Sequence, residues 1–294
     1  MKKRYYWFII ILIGSILGIV QTTFSFQNEE HLEKNWEGEQ QKNNNFLKIH
    51  YLDVGQGDAI FIELPNQQTL LIDGAESKEK EKIIDYINRL NKPKIDYLIA
   101  THPHADHIGG LASIIEQFDI GKIYMPKAIS TSKTYENLLK TIINADLKIT
   151  TAKKDLIILN EENLKMQFLS PQESHYQDLN NYSAVLKITY QKHNFLFMGD
   201  AEKLIEDEIT EDVNADIIKV GHHGSNTSSS LNFVNRVSPK YAIISVGSKN
   251  QYQHPHKEII KRWQQVGAQV LQTDLHGTII AQSDGFNLQI KTEK

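Results

Sequence analysis

The segment Tyr97-Leu-Ile-Ala-Thr-His-Pro-His-Ala-Asp-His-Ile-Gly-Gly110 constrains this chain more than any other. An apolar, strand-like run ends in His102, His104, Asp106 and His107. Three imidazoles and a carboxylate crowded into six residues are a costly arrangement unless they bind a metal. Neutral imidazole nitrogen and carboxylate oxygen suit Zn²⁺, Mn²⁺ or Fe²⁺. A turn here can aim alternate residues at one ion and the other two at a second.

Two further segments match that chemistry. In Asn194-Phe-Leu-Phe-Met-Gly-Asp200 an apolar strand delivers a carboxylate after a glycine that permits close approach. Asp200 is thus a candidate bridge between two ions. In Ile217-Ile-Lys-Val-Gly-His-His-Gly-Ser225 a strand again runs into ligands, His222 and His223, with glycine on each side. Adjacent side chains on extended backbone diverge. One of the two is expected to bind metal and the other to face substrate.

The rest of the pattern alternates. Phe46 to Leu52, Ala59 to Leu64 and Thr69 to Ile72 read as strands separated by turn residues. Ile83, Ile84, Ile87 and Leu90 give helical spacing from Lys80 to Leu90. Ile95 to Ala100 is a strand, Leu111 to Phe118 a helix, Lys122 to Met125 a strand and Tyr135 to Ala145 a helix. Strands dominate from Leu147 to Tyr190, and Phe195 to Met198 is a short buried one. Strand runs mixed with βα units in both halves predict an α+β fold with sheets covered by helices.

The N-terminus is organised differently. Lys2, Lys3 and Arg4 precede an apolar run from Tyr5 to Val20 that weakens toward Phe26. A bilayer span needs about 20 apolar residues, and this run lies at that border. Residues 1–26 therefore read as an apolar helix, either a single-pass anchor or an export signal with a poor cleavage site near Ser25. Leading positive charge places the remainder outside the cytoplasmic membrane, on its extracellular face or secreted. Residues 27–45 are polar and lack apolar periodicity, which predicts a flexible linker. Residues 46–294 then form one domain. Cysteine is absent, which excludes disulfides, thiolate ligands and a cysteine nucleophile. A net charge of −4 gives no strongly basic face that would demand nucleic acid.

Taken in order, these motifs resemble the metallo-β-lactamase fold superfamily. Within it they are most similar to the hydrolase domain of ComEC, the competence DNA-channel protein. The resemblance runs from about residue 46 to 291 and rests on several segments. These are Tyr51-Leu-Asp-Val-Gly-Gln-Gly-Asp-Ala59, Leu71-Ile-Asp-Gly74, Thr101 to Gly110, Asn180-Asn-Tyr-Ser183, Met198-Gly-Asp200, His222-His-Gly-Ser225, His254-Pro255 and Thr273-Asp-Leu-His-Gly277. It implies a four-layer αββα sandwich with a two-metal site at one edge. The channel's many membrane spans are missing here, so translocation is not implied.

Position by position, the resemblance implies that His102 and His104 bind a first metal. Asp106 and His107 bind a second, Asp200 bridges, and His223 or His222 completes the second site. Asp106, His222 and His254 are the candidate catalytic groups, and Asn181, Ser225 and His254 the substrate-binding ones. Asp73, Asp53 and Asp58 would orient the ligands by hydrogen bonds. Many relatives of this fold supply a further histidine from an intervening strand. His175 and His193 lie in that interval in the wrong context, and Asn180-Asn-Tyr-Ser183 stands in its place. An amide oxygen is a weak zinc ligand, which favours Mn²⁺ over Zn²⁺ there.

The chemistry implied is metal-assisted hydrolysis, with Lys219, Ser225 and His254 offsetting charge on a phosphoryl substrate. Phosphodiester hydrolysis, with DNA as substrate in a nuclease of competence and DNA uptake, comes first. Surface enzymes that cleave phosphorylcholine esters resemble the same subgroup, so such an ester or another phosphoester is the second reading. Acyl or lactam hydrolysis is the third, and a non-catalytic surface binding module the fourth. The expected partners are a nucleic acid or phosphoester substrate and, through the N-terminal segment, a membrane. Nothing in the sequence identifies a protein partner.

Overall fold

A computed structural model describes residues 45–294. The expected apolar helix over 1–26 and linker over 27–45 fall outside those residues, apart from Asn45. The compact unit runs from Phe46 to Lys294. No helix among the described residues is long and apolar enough to cross a membrane.

Two sheets carry the fold. One has eight strands in the order β15-β14-β1-β2-β3-β4-β5-β6, the other seven in the order β13-β12-β11-β10-β9-β8-β7. The first comprises β1 (Leu47–Tyr51), β2 (Ile60–Glu63), β3 (Thr69–Ile72), β4 (Lys94–Ile99), β5 (Asp119–Met125), β6 (Ile149–Thr151), β14 (Ile279–Ser283) and β15 (Leu288–Thr292). The second comprises β7 (Ile157–Glu161), β8 (Leu164–Phe168), β9 (Leu186–Tyr190), β10 (His193–Phe197), β11 (Ile217–Lys219), β12 (Tyr241–Ile244) and β13 (Gln269–Gln272).

Side-chain alternation along these strands builds the layers. Leu47, Ile49 and Tyr51 of β1 and Ile60 and Ile62 of β2 share one core with Met166, Ile188, Phe195 and Phe197 of the other sheet. Tyr51 stacks on Phe197 across that interface, with ring centroids 6.3 Å apart. The alternate residues face outward. Phe61, Leu71 and Leu98 pack with Ile83 and Ile87 of helix Lys80–Arg89, Ile114 of Leu111–Gln117 and Leu138 of Lys133–Asn144. On the far side Leu196, Ile218 and Ile244 pack with Ile205, Phe233 and Trp263 from helices Lys203–Glu208, Leu231–Val237 and Lys257–Gln265. Three apolar cores thus separate four layers, helix–sheet–sheet–helix. β5 begins at Asp119, earlier than its apolar residues announce, because the exposed Asp119 and Lys122 carry no strand signal in the sequence.

Each sheet is parallel on one side and antiparallel on the other. β3, β4, β5 and β6 run parallel, as do β10, β11, β12 and β13. The carboxyl ends of parallel strands open onto a common edge, where such sheets bind ligands.

An ion pair away from that edge gives a stability test. The Glu63 carboxylate lies 3.2 Å from His50 Nε2 and 2.9 Å from Lys92 Nζ. Burial pushes its carboxyl up, but His50 and Lys92 outweigh burial and bring it down to about 2. A depressed carboxyl stabilises the fold above its unfolded value and loses that contribution as pH falls through the folded one. Glu63→Gln should cost about 1–2 kcal/mol at pH 7, a figure reduced for partial solvent screening. The difference in urea midpoint between the two proteins should shrink from pH 4.5 downward. A difference that stays constant across that range would refute the assignment.

Candidate metal centre

The ligand-bearing residues all follow parallel strands. Asp73 follows β3, and Thr101 to His107 follow β4. Asp200 comes after β10, and His222 and His223 come after β11. Gly57 lets the neighbouring loop close against this turn. A Cβ there would lie 2.1 Å from the Asp106 carbonyl oxygen. The Asp58 N–H donates to that same oxygen at 3.2 Å.

Asp73 is fully buried and organises the histidine loop. Its carboxylate accepts from the Thr101 N–H and the Thr101 hydroxyl, each at 2.7 Å. It also accepts from His107 Nδ1 at 2.7 Å. On the other side, His223 Nδ1 donates to the Ser245 carbonyl at 2.9 Å. Both rings are therefore fixed with the proton on Nδ1 and Nε2 turned inward. His107 Nε2 lies 3.2 Å from Asp200 Oδ1, and His223 Nε2 lies 3.4 Å from the same oxygen and 3.6 Å from Asp106 Oδ2. His102 Nε2 is 3.0 Å from His104 Nδ1 and 3.8 Å from Asp200 Oδ2.

The donor set fits divalent cations. His107 Nε2, His223 Nε2 and Asp200 Oδ1 are buried and have no hydrogen-bond partner among the described residues. Buried polar atoms without partners are costly, and here three of them face one another. His102, His107 and Asp200 form one set of ligand atoms within 4.8 Å, and Asp106, His107 and His223 form another. The two sets meet at His107.

Charge in the cluster points the same way. Burial pulls the His107 imidazole down, but Asp200 and Asp73 outweigh it and hold it well above its ordinary value. Burial lowers His223 too, yet Asp200 and Asp106 raise it to about 9. Burial and the His107 charge hold His102 well below the usual range. Burial pushes the Asp106 and Asp200 carboxyls up, while His107 and His223 bring both well below the usual carboxylate range. The cluster thus favours positive charge at its centre.

His222 and His223 adopt left-handed backbone conformations, with φ of 47° and 52°. That turn separates their roles in space. His223 points into the cluster, whereas His222 lines the cleft and its Nδ1 lies 3.1 Å from the Thr227 hydroxyl and 3.4 Å from Glu202. The cleft, of about 650 Å³, also meets His104, Asp106, Asp200, Asn180, Tyr252 and His254.

Several expected residues sit elsewhere. Lys219 is wholly buried, and its ammonium lies 2.7 Å from Asp58 Oδ2, so it supports the loops and does not face substrate. Asp58 is accordingly close behind the ligands, 3.4 Å from His223 Nδ1. The Asp53 carboxylate instead takes Lys294 at 3.0 Å. Ser225 is buried with its hydroxyl 3.1 Å from Thr227 Oγ1. Asn181 donates to Glu202 at 3.2 Å, and its neighbour Asn180 lines the cleft. His175 pairs with the Tyr182 hydroxyl and His193 with Ser283, so neither joins the cluster. Sequence reasoning missed Glu202 and Tyr252, and of the quoted amide pair it named Asn181 rather than Asn180 for the substrate. Only for Asn180, in an adjacent amide pair within a quoted motif, was a signal present.

Comparison with known proteins agrees with this geometry. The Metallo-beta-lactamase superfamily model matches residues 52–248. ComE operon protein 3 of Bacillus subtilis is 30% identical over 79% of this chain and 32% of its own length. Competence protein ComA of Neisseria gonorrhoeae is 28% identical over 77% of this chain and 31% of its own. The chain thus spans about a third of these relatives. The solved metallo-beta-lactamase fold protein YhfI of Bacillus subtilis superposes with a TM-score of 0.54, covering 81% of this chain and all of that one at 13% identity, which speaks to the fold alone. Sequence match, layered sheets and convergent ligands agree: the chain belongs to the metallo-beta-lactamase superfamily.

Proposed function

We propose that the protein is a metal-dependent phosphodiesterase acting outside the cytoplasmic membrane, with DNA as its substrate. The observation that carries the hydrolase reading is the convergence of His107 Nε2, His223 Nε2 and Asp200 Oδ1 on one buried region open to a cleft. One relative is named Competence protein ComA, and the motifs resemble the hydrolase domain of a competence DNA channel, which together support a nucleic acid. Amides stand where many lactam-cleaving relatives would have a histidine, and His175 and His193 are held elsewhere. That pattern favours phosphoryl over acyl substrates. A phosphorylcholine ester is the second reading.

His102, His104, Asp106, His107, Asp200 and His223 would hold two divalent ions, Zn²⁺ or Mn²⁺. When bound, such ions lower the pKa of water to about 7 and offset charge on a phosphoryl oxygen. The protein's own groups do the rest. Asp73 and the Ser245 carbonyl fix the ligand rings. Glu202 orients His222, and burial together with the nearby His222 charge brings His254 down to about 4, so His254 is neutral at pH 7. His222 and His254 face the cleft, where they can donate to a developing negative charge.

The test is to load the full chain separately with Mn²⁺ and Zn²⁺ and to assay single-stranded DNA, duplex DNA, a phosphorylcholine ester and a β-lactam. DNA should turn over fastest, and preferential lactam hydrolysis would overturn the proposal. In the same assay His223→Ala should lose metal. His222→Ala should retain most metal yet turn over about 10²–10³ more slowly, the usual loss for one preorganised donor. Equal metal loss in both variants would sink that division of roles.

A further inference from the structure

We propose that Tyr252 and His254 form a shelf that stacks a nucleobase of single-stranded nucleic acid beside the scissile phosphate, an inference that rests on the phosphodiesterase reading. Both residues lie in the loop between β12 and helix Lys257–Gln265 and line the cleft. Their rings stack with centroids 5.7 Å apart and planes 26° from parallel. Tyr252 remains 54% exposed where it lines the cleft, so its ring is open to a ligand. The stack leads inward. His254 meets His222 edge-on with centroids 5.5 Å apart, and His222 Nε2 lies 3.8 Å from Asp200 Oδ2. Aromatic surface therefore runs without a break from solvent to the metal ligands.

The shelf is built in advance of ligand. The Asn250 side chain donates to the Gly247 carbonyl at 2.8 Å and to the His254 carbonyl at 2.7 Å. It also accepts from the His254 N–H at 2.9 Å. A loop stapled this way loses little freedom on binding. Every base offers a π-face, so an aromatic shelf binds nucleic acid without reading its sequence. Bases in a duplex are already stacked on their neighbours, which makes the natural occupant a single strand. Lys249 lines the same cleft and suits an anionic chain. It would repel a quaternary ammonium, the other ligand that favours an aromatic face.

The experiment compares KM for a single-stranded oligonucleotide with that for the same oligomer carrying abasic sites around the cleaved position. The wild-type full chain should prefer the base-bearing oligomer by roughly tenfold or more. Tyr252→Ala should erase most of that preference, and Tyr252→Phe should keep it. A parallel measurement, with metal chelated to prevent cleavage, follows fluorescence of a 2-aminopurine base in the oligomer. Wild type and Tyr252→Phe should quench it and Tyr252→Ala should not. Quenching of this kind without cleavage of any nucleic acid would support the shelf while overturning the phosphodiesterase reading. An unchanged base preference in Tyr252→Ala, or a selective loss of phosphorylcholine-ester turnover in that variant, would overturn the shelf itself.

Discussion

Asp200→Ala is expected to abolish turnover and to strip the protein of most of its metal. The carboxylate belongs to the set with His102 and His107, and its Oδ1 also lies 3.4 Å from His223 of the other set. Removing it would take a ligand from both sites at once and leave His107 and His223 without the carboxylate that faces them both. A variant at His102 or His223 would remove a ligand from one set and leave the carboxylate in place, so its loss should be smaller. Metal content by atomic emission and hydrolysis of the best substrate give the answer together. A variant that retained full metal and full turnover would show that this is not a two-metal centre. Asp200→Asn separates charge from shape, since the amide keeps the volume and loses the negative charge. It should resemble Asp200→Ala in metal content if charge dominates.

The second large effect is on stability. Lys219→Met should destabilise the protein by about 3–5 kcal/mol, the usual cost of breaking a buried ion pair by removing one partner. Both Lys219 and Asp58 are essentially inaccessible to solvent. The Lys219 ammonium is satisfied only inside the protein, by Asp58 at 2.7 Å and by the Val220 carbonyl at 3.0 Å. Met fills much the same volume and cannot neutralise the carboxylate left behind. Adding Asp58→Asn to Lys219→Met should therefore recover a good part of the loss. Urea unfolding of the single and double variants measures the coupling. Strictly additive losses would mean that the pair is not held together by charge. Because Asp58 also lies 3.4 Å from His223 Nδ1, the single variant should weaken metal retention as well.

The sequence was most informative where chemistry is local. His102 to His107, Asp200 and the His222–His223 pair each follow an apolar strand directly, and the structure brings all three segments to one edge. The runs Phe46 to Leu52, Ala59 to Leu64 and Thr69 to Ile72 likewise contain β1, β2 and β3. What stayed hidden depends on contacts between distant segments. The proton acceptor for His223 is the backbone carbonyl of Ser245, and a carbonyl has no signature in the residue sequence. Lys219 sat in a ligand-rich motif and read as a group for the substrate. Its true partner is 161 positions earlier in the chain. Tyr252 escaped because one tyrosine in a polar loop gives no period to detect. Asn180 and Asn181 are indistinguishable as letters, and only the short turn that holds them decides which faces the cleft.

The left-handed turn at His222 and His223 sets folding against chemistry. Each residue there carries a Cβ in a conformation that costs L-residues roughly 1–2 kcal/mol. Glycine would relieve that strain at either position and would delete a ligand or a cleft donor in doing so. Substitutions at these two positions that improve survival on heating are thus the ones most apt to silence the protein. A thermostabilisation campaign guided by melting temperature alone would be drawn toward them, and its apparent successes would need to be checked for bound metal before being counted as improvements.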